Sequence, residues 1–198
     1  MKYKLVAVLT TFLLIACTKE EPQTTDGRKS VMNQKSAAAT PSKPLLPPDY
    51  ETLAEAIRNT INKMNDTEND ISAGSVLLAF WSATHLKWQD IKSLPTTTFP
   101  LVMKDSEKQR GKSICASGVI IEIRTERFQD KTFFEGGILS DYGYIYRFIA
   151  VKSTGDLVAR SRGTICGIVT GRHSYRNSMG GVAHAVFLVG IFNLPENK

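Results

Sequence analysis

The run Ser113-Ile114-Cys115-Ala116-Ser117-Gly118-Val119-Ile120-Ile121-Glu122-Ile123-Arg124 is where the chain changes period. Before Gly111 apolar residues recur at helical spacing. From here they recur about every second residue, the repeat of a half-buried strand. Cys115, Val119, Ile121 and Ile123 fall on one face, with Ser117 its single polar member, and Glu122 and Arg124 fall opposite. Cys166 and Ile168 repeat the arrangement in a later strand, so both cysteines are expected to face the core. Between them Phe133 to Leu139 and Tyr144 to Lys152 read as strands, turned by Ser140-Asp141-Tyr142-Gly143. Ala183 to Phe192 is a last strand, apolar on both faces and shorter than the ~20 residues a membrane-spanning helix needs.

Toward the N-terminus the pattern is helical. Leu53, Ile57, Ile61 and Met64 share a face, which predicts a helix over about 50–65 with Asp49 as N-cap. The acidic run Asn65 to Asp70 fails the calcium-loop template, because Ile71 stands where glycine is required and Leu77 where the bidentate glutamate belongs. A second helix is expected from Ser72 to about Leu94, with Leu77, Phe80, Trp81, Thr84 and Trp88 on one face and Pro95 as its stop. Its first half is apolar nearly all round, which implies burial. Thr96 to Met103 reads as extended, and Lys104 to Gly111 as a charged turn. Thr18 to Pro48 is polar and proline-punctuated, a composition that cannot build a core.

Five strands in the order long strand, hairpin, crossover and final hairpin resemble the OB-fold, a five-stranded Greek-key barrel. The resemblance covers residues 111–192 and rests on strand count and spacing. The fold class expected is therefore α+β, with N-terminal helices packed on a small five-stranded, OB-like antiparallel β-barrel. The OB arrangement makes strands one and four neighbours, which would bring Cys115 and Cys166 together; a different small barrel or a helix-backed sheet would do the same. The helix usual between strands three and four has only Ser153 to Gly163 available, leaving either a short turn there or a helical element supplied by residues 72–94.

Lys2 and Lys4 precede the apolar segment Leu5 to Ala16, which is too short to span a bilayer. Leu14-Ile15-Ala16-Cys17 resembles the lipobox of bacterial lipoproteins, which implies cleavage after Ala16 and diacylation of Cys17; the rival is an ordinary secretory signal with an incidental cysteine. Thr18 is similar to the residue that follows the lipidated cysteine in lipoproteins sorted to the outer membrane. The expected organisation is a signal peptide over 1–16, a lipidated N-terminus and disordered tether over 17–48, a helical segment over 49–95 and the β-domain over 96–198. The expected location is the cell envelope, lipid-anchored and facing the periplasm. With Cys17 assigned to lipid, Cys115 and Cys166 are the remaining two of three cysteines, in a compartment where disulfides persist, and are expected to be bonded.

The charge of +6 falls to +4 once Lys2 and Lys4 are removed, and acidic residues are interspersed throughout. Readers of nucleic acid concentrate positive charge far more, so nucleic acid is not an expected partner. No nucleophile elbow and no phosphate-binding glycine loop occurs, and His173 and His184, eleven residues apart, match no zinc spacing. No catalytic residue, metal or cofactor is therefore assigned. Gly171 to Gly181 reads as a long polar connection whose Arg172, His173, Tyr175, Arg176 and Asn177 are candidate partner contacts, with Arg127 to Thr132 a second candidate loop. Tyr144, Tyr146 and Phe148 alternate onto one face of a strand, either as core or as a stacking platform, with Arg147 opposite. Tyr146 and Arg147 join the candidate contacts. The function expected is a non-enzymatic, membrane-anchored module that binds a macromolecular partner, such as an immunity or inhibitor protein or an envelope-assembly factor. The alternative is an enzyme handling a small ligand or a wall glycan, using His173 and a carboxylate such as Glu122 or Glu135.

Overall fold

The computed structural model describes residues 50–177 and 179–194; the expected signal segment, Cys17, the expected tether and Asp49 lie outside them. The protein is α+β, with a six-stranded sheet and a few short helices. Helix α1 (Leu53–Thr60) is capped by the Thr52 hydroxyl, which accepts from the Glu55 N–H, and a single 3-10 turn continues it to Lys63. Strand β1 (Thr67–Glu68) follows.

The expected helix over 72–94 is two helices, α2 (Ala73–His85) and α3 (Trp88–Ser93). The break has a local cause. Asp90 accepts from the Lys87 N–H at 2.8 Å, the reciprocal half of a capping box, and starts a new helix there. Thr96 to Met103 is not extended: α4 (Phe99–Lys104) begins with Pro100 in its first turn, where the fixed φ of proline favours helix. The expected charged turn contains α5 (Ser106–Gln109), capped by Asp105.

The long strands are β2 (Ser113–Phe128), β3 (Lys131–Ser140), β4 (Ile145–Ala150), β5 (Arg162–Arg176) and β6 (Val182–Phe192). They pair in the cycle β2-β3-β4-β6-β5-β2, all antiparallel except β4 with β6. This is not the clean five-stranded antiparallel barrel expected. β1 adds a sixth, parallel strand on β5, and β2 beyond Ile120 keeps only β3 as a neighbour. The expected loop over 171–181 is largely strand, because β5 runs to Arg176 and pairs with β6 up to Val182. Likewise the second candidate loop shrinks to the turn between Phe128 and Lys131.

Inside the cycle Ile114, Ala116, Ile120, Ile138, Tyr146, Phe148, Ile165 and Leu188 form one core, and Val102 of α4 is fully buried against it. α4 thus supplies the helical element here; 153–163 contributes Leu157 without a helix, and 72–94 packs on the other face. Helices α1, α2 and α3 cover the other face of β4, β5 and β6 through Ile149, Cys166, Ile168, Phe187, Val189 and Ile191. Strands buried on both faces read as continuous apolar runs, which explains β6.

Cys115 and Cys166 are directly opposite in the β2–β5 ladder and disulfide-bonded. Cys166 faces a core as expected, the one beneath the helices, but Cys115 does not. Ile114 and Ala116 face the interior of the cycle, so Cys115 lies exposed on the outside while Cys166 is buried beneath the helices. A bulge between Ile120 and Glu122 then reverses the alternation, turning Ile123 toward the interior and leaving Ile121 outside.

Candidate functional site

Alternation in β4 sends Tyr146 and Phe148 into the core and Arg147 to the outer face. There Arg147 lies across Gly137 of β3: a Cβ at 137 would stand 3.2 Å from Ile121 Cγ1 and 3.4 Å from Arg147 Nη1. Arg147 Nη1 donates to Glu122 of β2, and its Nη2 is 3.6 Å from Glu135 of β3. Arg124 Nη2 reaches the other oxygen of Glu135 at 2.8 Å. A ladder of alternating charge thus crosses three strands on one face.

Glu135 and Arg147 are mostly buried and Arg124 is open to water, so the ladder is firm at its floor and exposed at one end. The hydrogen bond from Arg147 holds the Glu122 carboxyl below its ordinary range, against burial. Hydrogen bonding to Glu135 raises the already basic Arg124 guanidinium.

The β5–β6 hairpin carries His173 and Tyr175 to the same place. With Asn69, Ile71, Ile121 and Ile145 they close a cleft of about 300 Å³ over the ladder. His173 is buried, packs 5.9 Å from Phe187 and has its Nδ1 3.5 Å from the Thr67 hydroxyl. Burial, and then the charge of Arg147, push its imidazole below the ordinary value. Burial pushes the Tyr175 hydroxyl up.

The rim is held by Asp66. Its carboxylate accepts from Ser106 Oγ at 2.7 Å, Arg172 Nε at 2.7 Å, the Arg172 N–H at 2.9 Å and Arg110 Nη2 at 3.3 Å. Burial opposes its ionisation, but these donors outweigh burial and lower its pKa. Asp66 so fixes the turn through Asn69, which takes a left-handed φ of 63°, and with it Asn69 and Ile71 at the cleft edge.

A second, apolar cleft of about 340 Å³ adjoins the first between α2 and the β2–β3 hairpin. Val76, Phe80, Phe128 and Phe133 line it, and Ile71 and Glu135 line both. Phe80 meets Phe128 and Phe133 edge-on, each at 5.1 Å. The two clefts form one groove, apolar at one end and charged at the other.

Of the residues singled out in the sequence, Arg147, His173 and Tyr175 meet in this groove. Arg172 points elsewhere in the alternation of β5 and binds Asp66 and the Met103 carbonyl. Arg176 is exposed at the strand end, and Asn177 accepts from the Met179 and Gly181 N–H groups, closing the hairpin turn. Tyr146 belongs to the core. His173 and Glu135 share the cleft, but Tyr146 is absent from it and Glu135 is held by two arginines. Arg124, Gly137, Asn69, Ile71 and Asp66 were not foreseen; the opposite-charge alternation Glu122, Arg124, Glu126 was the one local signal. Among the described residues no group of three His, Cys, Asp or Glu side chains converges as a metal site would require.

No family model matches the chain, and comparison with the curated proteins finds no match. Among solved structures, the mitochondrial single-stranded DNA-binding protein Rim1 from S. cerevisiae aligns with a TM-score of 0.30 and 13% identity, over 44% of this chain and 97% of that one. A likeness of that size carries no argument about this chain.

Proposed function

We propose that this protein is a lipid-anchored lipoprotein of the cell envelope, outer membrane in preference to inner, whose OB-like domain is a non-enzymatic binding module for a segment of a partner protein. The OB-like reading is supported by the pairing of the first long strand with the fourth. The partner reading is carried by the continuous groove, whose apolar end suits a large side chain and whose charged end suits polar backbone or side-chain groups. An immunity or inhibitor protein and an envelope-assembly factor are both forms of this function.

A small-ligand or glycan-handling enzyme is the second reading, favoured by His173 and Glu135 lining one cleft. It requires Glu135 to leave Arg124 and Arg147 before it could move a proton, and so ranks below binding.

A photoreactive amino acid placed at Ile71, at Tyr175 or at the remote, 61% exposed Val158 tests the groove in intact cells. The expected result is one discrete protein adduct from the first two positions and none from the third. The same adducts from all three, or no adduct from the groove, would overturn the reading.

A further inference from the structure

The cleft at the β3–β4 turn, away from the groove, has a volume of about 540 Å³, within the ~300–1,000 Å³ of small-ligand sites. Its walls are Thr96 to Pro100, the start of β2, and Ser140 to Tyr146. Nine of its fifteen lining residues carry a hydroxyl. Thr96, Thr98 and Tyr142 are exposed. Its one carboxylate, Asp141, is taken by Arg162.

An aromatic shelf accompanies the hydroxyls. Phe99 stacks on Tyr144 with centroids 4.2 Å apart and planes 5° from parallel, and meets Tyr146 edge-on at 5.4 Å. Tyr146 is only 5% exposed, yet it lines this cleft, and its hydroxyl is not among the sealed polar atoms that lack a partner. A hydroxyl at the wall of the cleft can take a ligand group in place of water. Burial pushes its pKa up to about 12, which keeps it a neutral donor at ordinary pH.

We propose that this cleft is a non-catalytic binding site for a neutral saccharide unit. A hydroxyl both donates and accepts, matching sugar hydroxyls, and the shelf offers an apolar surface to the C–H face of a pyranose ring. A charged ligand would find no free counter-ion among the lining residues. The site shares no lining residue with the outer-face groove and does not rest on the partner reading.

The test is an NMR titration of the isotope-labelled protein with di-N-acetylchitobiose, maltose and lactose, and with digalacturonate as the anionic control. At least one neutral disaccharide is expected to shift the amides of Thr98, Ser117 and Tyr144 while leaving those of His173 and Tyr175 in place. Tyr146→Phe keeps the ring and should weaken that binding about three- to tenfold, the loss of one hydrogen bond. Tyr142→Ala, at a side chain 87% exposed, checks the site without risk to the core and should weaken binding too. No shift with any neutral sugar, shifts mapping elsewhere, preference for digalacturonate, or unchanged binding by both variants would each overturn the proposal.

Discussion

A side chain at position 137 would press on Ile121 and come into contact with Arg147. A β-branched residue there would crowd the guanidinium and part the ladder that joins Glu122, Glu135 and Arg124. His173 makes the same environment sensitive to acid. Its native pKa lies below the ordinary 6.5 because burial and Arg147 disfavour the imidazolium. The unfolded chain therefore binds the proton more readily, and the stability this residue supports is present above about pH 6.5 and lost as pH falls toward the native pKa. Asp66 and Glu122, with lowered pKa values, follow with losses that begin only near their ordinary values of 3.8 and 4.5. His173→Gln should flatten the dependence of Tm on pH below about 6.5 while leaving the steeper carboxylate fall at lower pH intact. Thermal unfolding followed by circular dichroism across that range measures it, and parallel curves for the two proteins would refute the assignment. Nothing local in the sequence distinguishes His173 from the exposed His184, since burial is conferred by Phe187 and the β1 segment.

Strand β2 shows how far a period can be read and where it fails. The two-residue repeat correctly announced a strand, and the cysteine count correctly announced a bond. Which face was inside was misread, because the more apolar set, Cys115, Val119, Ile121 and Ile123, is divided by the bulge at Ile120 to Glu122. Before the bulge the smaller set of Ile114 and Ala116 faces the core. The disulfide therefore joins β2 to β5 on the face away from Ile114 and Ala116, exposed at Cys115 and buried at Cys166. Cys115→Ser with Cys166→Ser should lower unfolding free energy by about 4 kcal/mol, the chain-entropy value for a separation of 51 residues. Urea unfolding of the double variant against the oxidised parent measures this. A loss below about 1 kcal/mol would mean that the unfolded chain is already compact there. The helices were legible in number and burial less than in extent: the split between α2 and α3 rests on one cap at Asp90, and α4 on a proline whose helical use depends on Val102 having a core to enter.

For the whole molecule, the anchor and the folded domain are separate claims. If Cys17 carries lipid, Cys17→Ser should move the protein from the membrane to the soluble fraction and abolish incorporation of labelled palmitate, leaving the Tm of the domain unchanged. A parent protein that is already soluble and takes no label would return the N-terminus to an ordinary secretory signal. The sequence by itself determined the number and order of the five long strands and the α+β class, and pointed to the Cys115–Cys166 bond once Cys17 was set aside for lipid, because period, turn chemistry and cysteine count are properties of neighbouring residues or of composition. Only the tertiary structure decided which face of β2 is buried, that β1 joins β5, that α4 closes the core, and that Arg147, Glu135, His173 and Tyr175 share one groove. Those features arise from contacts between residues far apart in the chain, where a single bulge reverses every side chain after it and no local pattern records the reversal.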